Sequence, residues 1–260
     1  MRSDLQPMMM GVVARILGQG ECLGASSRGW WAAVQGESMG NQYQIDLEKY
    51  SLQKFKNNLK SRDMIPSRVS LKEELDERFK ILENSGITNL KELIDMLKTK
   101  PKIELFSKET GLSIDYLTIL KREAQSYLPN PIRIDKFPGI PTIYVNRLEA
   151  EGIRNSRQLF NEAKDKNERE RLSQRTEIPV EIMYELVCLS DLARAYGVGP
   201  EFARMIYDVG IRSIKEFVEN TAEEFIRIYE EKEQKKADFG VNEIQFSLEL
   251  AKELDIAVEI

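Results

Sequence analysis

One short pattern occurs three times along the chain, and it constrains the fold more than any other feature of the sequence. Each copy holds a Gly-Ile pair, a cap residue three positions after the glycine, and Glu or Gln three positions after the cap. The copies stand at Gly86, Asn89 and Glu92, at Gly152, Asn155 and Gln158, and at Gly210, Ser213 and Glu216. Such a glycine is typical of a left-handed helix end, and the cap with Glu or Gln is typical of a capping box. Each copy therefore predicts a helix, a tight turn and a new helix.

The repeating unit extends beyond this pattern. Gly111 and Glu177, in similar surroundings, each lie 25 residues after the glycine of their copy, and Gly240 takes the comparable place 30 residues after Gly210. Apolar residues fall at helical spacing from residue 43 onward, with almost no β-type alternation. A single unit cannot bury its apolar face alone, so neighbouring units are expected to stack. The sequence predicts an all-α fold of tandem helix-hairpin-helix-like helical repeats.

Two glycine turns stand ahead of the second and third copies. Gly197-Val198-Gly199, followed by Ala203, has the Gly-hydrophobic-Gly pattern that is typical of a helix-hairpin-helix. Glycines allow the tight turn and leave backbone N–H groups at the start of the next helix, where they can meet a phosphate. The turn at Gly139-Ile140 is a weaker match, because Pro141 replaces the second glycine and removes one donor. The candidate nucleic-acid-binding residues are Gly197, Val198, Gly199, Arg204, Gly139, Ile140, Lys136 and Arg147.

The charges divide unevenly along the chain. Residues 39–129 carry 16 Lys+Arg and 14 Asp+Glu, whereas residues 130–260 carry 19 and 26, so the glycine turns lie in the acidic half. A basic stripe in the other half consists of Lys49, Lys54, Lys56, Lys60 and Arg62. Two interpretations of this stripe remain open. It is either an arm that contacts phosphates or a solvated helix face from which Tyr50 and Phe55 pack inward.

The composition excludes several kinds of chemistry. Among 260 residues there is no histidine, and there are two cysteines, Cys22 and Cys188. This leaves no Ser-His-Asp or Cys-His nucleophile pair, no histidine zinc ligand and no disulfide framework. Cys188 lies in an apolar run, so it is predicted to be a core residue. We therefore predict a protein that is not an enzyme and that has no metal site, no cofactor and no small-molecule substrate.

The amino-acid usage changes abruptly near residue 38. All 20 lysines follow this position, and both tryptophans precede it. Residues 1–38 are therefore predicted to be a non-native or disordered extension, and a targeting peptide is the alternative. The rest is predicted to form an N-terminal helical arm at 39–69, a first helical repeat at 70–129 and paired helix-hairpin-helix-like repeats at 130–260. No run of 18 apolar residues exists, so we expect no membrane-spanning helix and a cytoplasmic location.

A resemblance at whole-chain scale rests on five segments. They are Ser51-Leu52, Arg62-Asp63-Met64-Ile65-Pro66, Tyr127-Leu128-Pro129, Phe137-Pro138-Gly139-Ile140 and Tyr196-Gly197-Val198-Gly199. Through them, residues from about 51 to 256 resemble an uncharacterised prokaryotic family, domain-of-unknown-function family 4332. The resemblance implies tandem helix-hairpin-helix-like folds and no known activity.

Two functions from different classes remain open. Helix-hairpin-helix modules most often contact the DNA backbone without reading sequence. The first hypothesis is therefore sequence-independent nucleic-acid binding through the turn at residues 197–199 and Arg204. The second is a protein-protein interaction scaffold in which the hairpins are purely structural and the acidic residues 130–260 meet a basic partner. The resemblance favours the first hypothesis, and the charge distribution favours the second.

Overall fold

A computed structural model describes residues 42–259 of the 260-residue chain. The chain divides into two units, residues 1–39 and 40–260, and all described residues belong to the second. The predicted extension at residues 1–38 and the first cysteine, Cys22, lie outside the described residues.

The regular structure of residues 42–259 is helical, and this part of the chain contains no β-strand. The α-helices are α1 (Leu52–Ser61), α2 (Leu75–Asn84), α3 (Leu90–Met96), α4 (Lys100–Thr110), α5 (Ile114–Gln125), α6 (Thr142–Ala150), α7 (Ser156–Ala163), α8 (Lys166–Thr176), α9 (Val180–Leu192), α10 (Pro200–Asp208), α11 (Ile214–Val218), α12 (Ala222–Glu233) and α13 (Val241–Ala251). Two 3₁₀ helices, Pro66–Lys72 and Ile134–Lys136, lie between them. The predicted all-α fold class is confirmed.

Each of the three sequence copies forms the expected turn. Gly86, Gly152 and Gly210 adopt φ values of +83°, +83° and +105°, a conformation that favours glycine. The isoleucine after each glycine donates its N–H to a carbonyl in the last turn of the preceding helix, at 2.9–3.2 Å. Four helices then belong to each unit: α2 to α5, α6 to α9, and α10 to α13.

The caps differ from the predicted capping box in one bond. The side chains of Asn89, Asn155 and Ser213 each accept the N–H three residues later, as predicted. The carboxylate of Glu92, however, accepts the N–H of Thr88, the residue before the cap, at 2.7 Å. Gln158 and Glu216 make the same bond in their copies. At all three of these caps the backbone is extended, with φ between −141° and −149°.

The third unit differs from the sequence prediction in its second turn. The residue that matches the left-handed Gly111 (φ +76°) and Glu177 (φ +53°) is Gln234 (φ +54°), which ends α12. Gly240 instead caps the start of α13 with φ −100°, so it is not the counterpart of those residues. The third unit is longer because of the loop between Gln234 and Gly240. Without a glycine, nothing in the sequence marks this helix end.

Extended segments ahead of the units pair with the turn inside each unit. The N–H of Leu90 donates to Tyr50 O at 3.0 Å, and the N–H of Ser156 donates to Ile132 O at 2.7 Å. In the third unit no extended segment is present, because α9 leads directly into the hairpin. There the carboxylate of Asp191 accepts the equivalent N–H, that of Ile214, at 2.8 Å. A buried side chain thus takes the place of a backbone carbonyl.

Helix α9 lies at the centre of the second and third units, where it packs against α7, α8, α10 and α11. Its residues from Leu186 to Leu192 are all buried. At its end, the buried guanidinium of Arg194 pairs with Asp191. The same guanidinium donates to the carbonyls of Gln42 at 2.7 Å and Asp255 at 2.8 Å. Arg194 therefore ties both ends of the described chain to α9.

The predicted N-terminal arm, residues 39–69, contributes to the core of the first unit. Phe55 and Leu59 are fully buried, and the N–H of Leu52 donates to Thr88 O at 2.8 Å. The backbone of this segment is thus paired with the first repeat. The predicted divisions after residues 69 and 129 stay predictions.

Candidate functional site

The hairpin turn between α9 and α10 has the backbone that its glycines predict. Gly197 adopts φ +76° and is exposed, whereas Val198 is buried and donates its N–H to Ala195 O at 3.2 Å. Helix α10 starts at Pro200 and buries Ala203 and Ile206. The turn remains at the surface, so its outer face is open to a ligand.

The hairpin turn ahead of α6 is similar. Gly139 adopts φ +80° and is exposed, and Ile140 beside it is half-buried. Pro141 is the N-cap of α6 and makes no side-chain cap bond. Its ring carries no N–H, but Pro200 at the first position of α10 also lacks one, so residues 139–142 and 197–200 each present three backbone N–H groups.

Arg204 connects the two turns. Its Nε donates to Pro138 O at 3.0 Å, in the first turn, although Arg204 itself lies on α10 of the second hairpin. Its Nη2 donates to Glu185 Oε1 at 2.5 Å, and its Nη1 lies 3.4 Å from Asp208 Oδ1. Only 16% of the side chain is exposed. The charge of Arg204 is therefore balanced by two carboxylates within the fold, and a phosphate would have to compete with them.

The other basic candidates are placed differently. Arg147 donates to Glu177 O at 2.5 Å, and its Nη2 lies 3.5 Å from the Glu177 carboxylate. Lys136 is exposed and forms no ion pair with any residue in the range 42–259. Glu201 adds a negative charge in the first turn of α10. Of the predicted basic residues, Lys136 alone remains available to a ligand, and phosphate binding at these turns stays a prediction.

Every residue of the basic stripe pairs with an acidic residue of the fold. Lys49 lies 3.1 Å from Asp46, Lys54 lies 2.5 Å from Glu253, and Lys56 lies 2.7 Å from Asp76. Lys60 also faces Asp76, and Arg62 pairs with Glu123. Tyr50 and Phe55 are buried. This geometry fits the second interpretation of the stripe, a helix face whose aromatic residues pack inward.

A pocket of about 490 Å³ opens beside the second hairpin turn. Three separated stretches form it: residues 62–68, residues 196–202 and residues 239–247. Four aromatic residues help to line it, Tyr196, Phe202, Phe239 and Phe246, and Ile65 lines it as well. The sequence alone did not predict this site, because aromatic residues at helical spacing are typical of a buried core. A clue was the cluster of aromatic residues near Gly197 and at the start of α13.

One wall of the pocket contains a buried ion group. Glu123 is fully buried and accepts hydrogen bonds from both Arg62 and Arg68. The guanidinium of Arg62 also lies 4.2 Å from the ring centroid of Phe246, a cation–π contact. Both arginines are thus held by the fold. At the rim, the Asn242 amide donates to Asp63 Oδ2 at 3.0 Å and links α13 to the segment that follows α1.

One known protein family is similar to this region of the chain. Residues 138–253 match the family described as a domain of unknown function, DUF4332. This part of the chain, 116 of its 260 residues, is similar to that family. The match confirms the predicted family over a narrower range than residues 51–256, and it includes both hairpin turns and helices α6 to α13. No curated protein and no solved structure matches the chain.

The cysteine of the DUF4332 domain, Cys188, is buried on α9, as predicted. Burial raises the pKa of its thiol to about 12. Because the thiolate is the reactive species, we expect Cys188 to resist alkylation by iodoacetamide in the native protein and to react once the chain is unfolded. Mass spectrometry of the peptide that carries Cys188 measures this. Rapid alkylation without denaturant would contradict the buried placement.

Two further features bear on function. Across residues 42–259, no group of three or more Cys, Asp or Glu side chains is arranged to hold a metal ion. Among the helices of that same range, none has the length and apolar character needed to cross a bilayer.

Proposed function

We propose that the protein is a non-enzymatic helical binding module whose acidic DUF4332 half meets a basic partner protein. One observation carries the proposal: of the basic side chains that the sequence predicts to contact a nucleic acid, all but Lys136 are paired with carboxylates. Arg204 and Arg147 are paired at the hairpins, and the stripe from Lys49 to Arg62 is paired in the first half.

The net charge of residues 130–260 also favours a basic protein partner over a nucleic acid. Residues 130–260 carry 19 Lys+Arg and 26 Asp+Glu. Nucleic-acid binding gains most of its sequence-independent affinity from lysines and arginines that displace counterions from phosphates. An acidic surface repels the phosphate backbone of a nucleic acid and attracts a basic surface of another protein.

Affinity capture with cross-linking tests the proposal. Full-length protein serves as bait in a nuclease-treated extract, so that no nucleic acid can bridge it to other proteins. We expect a stoichiometric protein partner whose cross-links map to residues 130–259 and whose retention falls as salt rises. A partner that is lost on nuclease treatment, or the absence of a stoichiometric partner, would contradict the proposal.

Nucleic-acid binding through the hairpin turns is the second candidate. The observation in its favour is that both glycine turns are exposed and that Lys136 beside the first has no ion-pair partner within residues 42–259. Under the protein-binding proposal, full-length protein should leave duplex and single-stranded DNA unshifted in a mobility-shift titration at low salt. Binding with Kd of about 10⁻⁴ to 10⁻⁶ M that weakens steeply with salt would support the second candidate instead.

A matched pair of variants assigns any such binding to the turns. Lys136→Ala should lower the salt slope by about one unit if this lysine contacts a phosphate. Lys80→Ala removes an equally exposed lysine on α2, outside the DUF4332 match, and serves as the control. Equal effects of the two variants would exclude a specific role of the first hairpin turn.

A further inference from the structure

We infer that the pocket beside the second hairpin turn binds an apolar side chain of a partner peptide whose neighbouring residues are lysine or arginine. This inference rests on the proposed protein-binding function and names its site. A volume of about 490 Å³ is enough for one large apolar side chain, such as leucine or tryptophan.

The pocket is formed before any ligand binds. The rings of Tyr196 and Phe246 meet edge to face with centroids 4.8 Å apart, and those of Phe202 and Phe239 do the same at 5.3 Å. Rings that hold each other in this way lose little freedom when a ligand enters, which favours binding. Such aromatic walls are typical of the centre of a protein interface, where one anchor side chain supplies most of the affinity.

The pocket wall does not provide a free cation for an anionic ligand. Arg62 and Arg68 both donate to the buried carboxylate of Glu123, and Arg62 also covers the ring of Phe246. The two arginines share this one buried carboxylate, and drawing them toward an anion in the pocket would weaken the hydrogen bonds that keep Glu123 buried. A phosphate or a free carboxylate is therefore a poor occupant.

Exposed acidic residues lie in the pocket lining and next to it in the chain. Asp63 and Glu243 line the pocket, and Glu201 and Asp238 stand next to the lining residues Phe202 and Phe239 in the chain. All four acidic side chains belong to exposed residues. These acidic residues are thus complementary to lysine or arginine on either side of an apolar anchor, which decides the chemistry of the occupant.

An exposed apolar side chain adjoins the opening. Ile65 lines the pocket and is 59% exposed, on the segment that follows α1. The nearby Val69 is also exposed. An apolar cavity with an exposed apolar rim residue is the arrangement from which a partner gains affinity by excluding water.

Fluorescence anisotropy with labelled synthetic peptides on the full-length protein tests the site. The peptides share Lys and Arg flanks and differ in a central Trp, Leu or Ala. We expect the Trp and Leu peptides to bind about tenfold more tightly than the Ala peptide, since only they fill the pocket. A peptide with a central Trp and Glu flanks should not bind.

Two exposed residues of equal accessibility provide a matched pair of variants. Ile65→Ser should weaken the Trp peptide about fivefold, because the rim loses an apolar contact. Leu105→Ser, at 58% exposure against 59% for Ile65, lies on α4 and should change nothing. Asp238→Lys should weaken the basic peptide and permit weak binding of the Glu-flanked one, a reversal that a purely structural effect would not produce.

The results separate this inference from the proposed function. Equal binding of the Ala and Trp peptides, or equal effects of Ile65→Ser and Leu105→Ser, would overturn the pocket as the site. Partner cross-links elsewhere on residues 130–259 would then leave the protein-binding function standing. Direct binding of labelled single-stranded DNA to the full-length protein that Ile65→Ser weakens and Leu105→Ser leaves unchanged would identify a nucleobase as the occupant and overturn the inference.

Discussion

Replacing Arg194 with alanine is expected to lower the free energy of unfolding by about 4 kcal/mol, because it leaves the buried carboxylate of Asp191 without its partner. The guanidinium also donates to the carbonyls of Gln42, Tyr43 and Asp255, so the substitution frees the two ends of the described chain from α9. Equilibrium unfolding in urea, followed by circular dichroism, measures the loss.

The pH dependence of this variant follows from the Asp191 carboxyl. Burial raises its pKa from the ordinary value, and Arg194 opposes that rise. Without Arg194 the pKa rises further, so the folded variant holds a proton that the unfolded chain releases. A carboxyl of this kind destabilises the fold as pH rises above its unfolded pKa. Arg194→Ala is therefore expected to lower the free energy of unfolding less at about pH 4 than at about pH 7.

An exposed ion pair provides the control for this prediction. Arg227 pairs with Glu231 on the surface of α12 at 3.1 Å. Arg227→Ala should cost less than about 1 kcal/mol, since exposed pairs of this kind contribute little. If Arg194→Ala costs no more than Arg227→Ala, the buried network does not hold the ends of the chain.

Tyr127→Ala, as a single substitution, is expected to lower the free energy of unfolding by about 4 kcal/mol. The reason is the cavity that it leaves among the four aromatic rings around Tyr127. The ring of Tyr127 lies 5.5 Å from Tyr50 and 5.2 Å from Phe55, beside the first unit. On its other side it lies 6.1 Å from Tyr196, in the turn ahead of α10, and 5.9 Å from Phe246 on α13. The single side chain thus joins segments that are far apart in the sequence.

Tyr127→Phe separates the ring from its hydroxyl. Within residues 42–259, the Tyr127 hydroxyl is buried and has no hydrogen-bond partner. Phenylalanine keeps the ring contacts and removes a buried polar group that has no partner. The free energy of unfolding should therefore rise, by less than about 1 kcal/mol. The same urea titration compares the two variants. A large loss for Tyr127→Phe would reveal a partner for the hydroxyl and contradict the packing account.

The turns were the most predictable part of the fold. Gly86, Gly152 and Gly210 end their helices in the left-handed conformation, and the three cap residues bond as expected. These features depend on a few consecutive residues, so the sequence contains all the information they require. The second turn of the third unit was predicted wrongly. Gln234, rather than Gly240, adopts the left-handed conformation there. When a residue other than glycine adopts this conformation, the local sequence does not show that a helix ends there.

The candidate sites were less predictable. Gly197 and Gly139 form the turns that their pattern indicates, but the role of Arg204 depends on Pro138 and Glu185, which lie far away in the chain. The pocket was not predicted at all, since its walls come from three stretches whose aromatic residues look like ordinary core.

Helical class, turn positions and family can thus be read from the residues alone, because helix ends and hydrophobic periodicity are local properties of a chain. Which charges remain free is decided only when the chain folds. Lys54 meets Glu253 and Arg62 meets Glu123 across long separations in sequence, so residues of the basic stripe have acidic partners in the fold. A count of charges cannot show this, because the strength of an ion pair depends on the distance between its members in space.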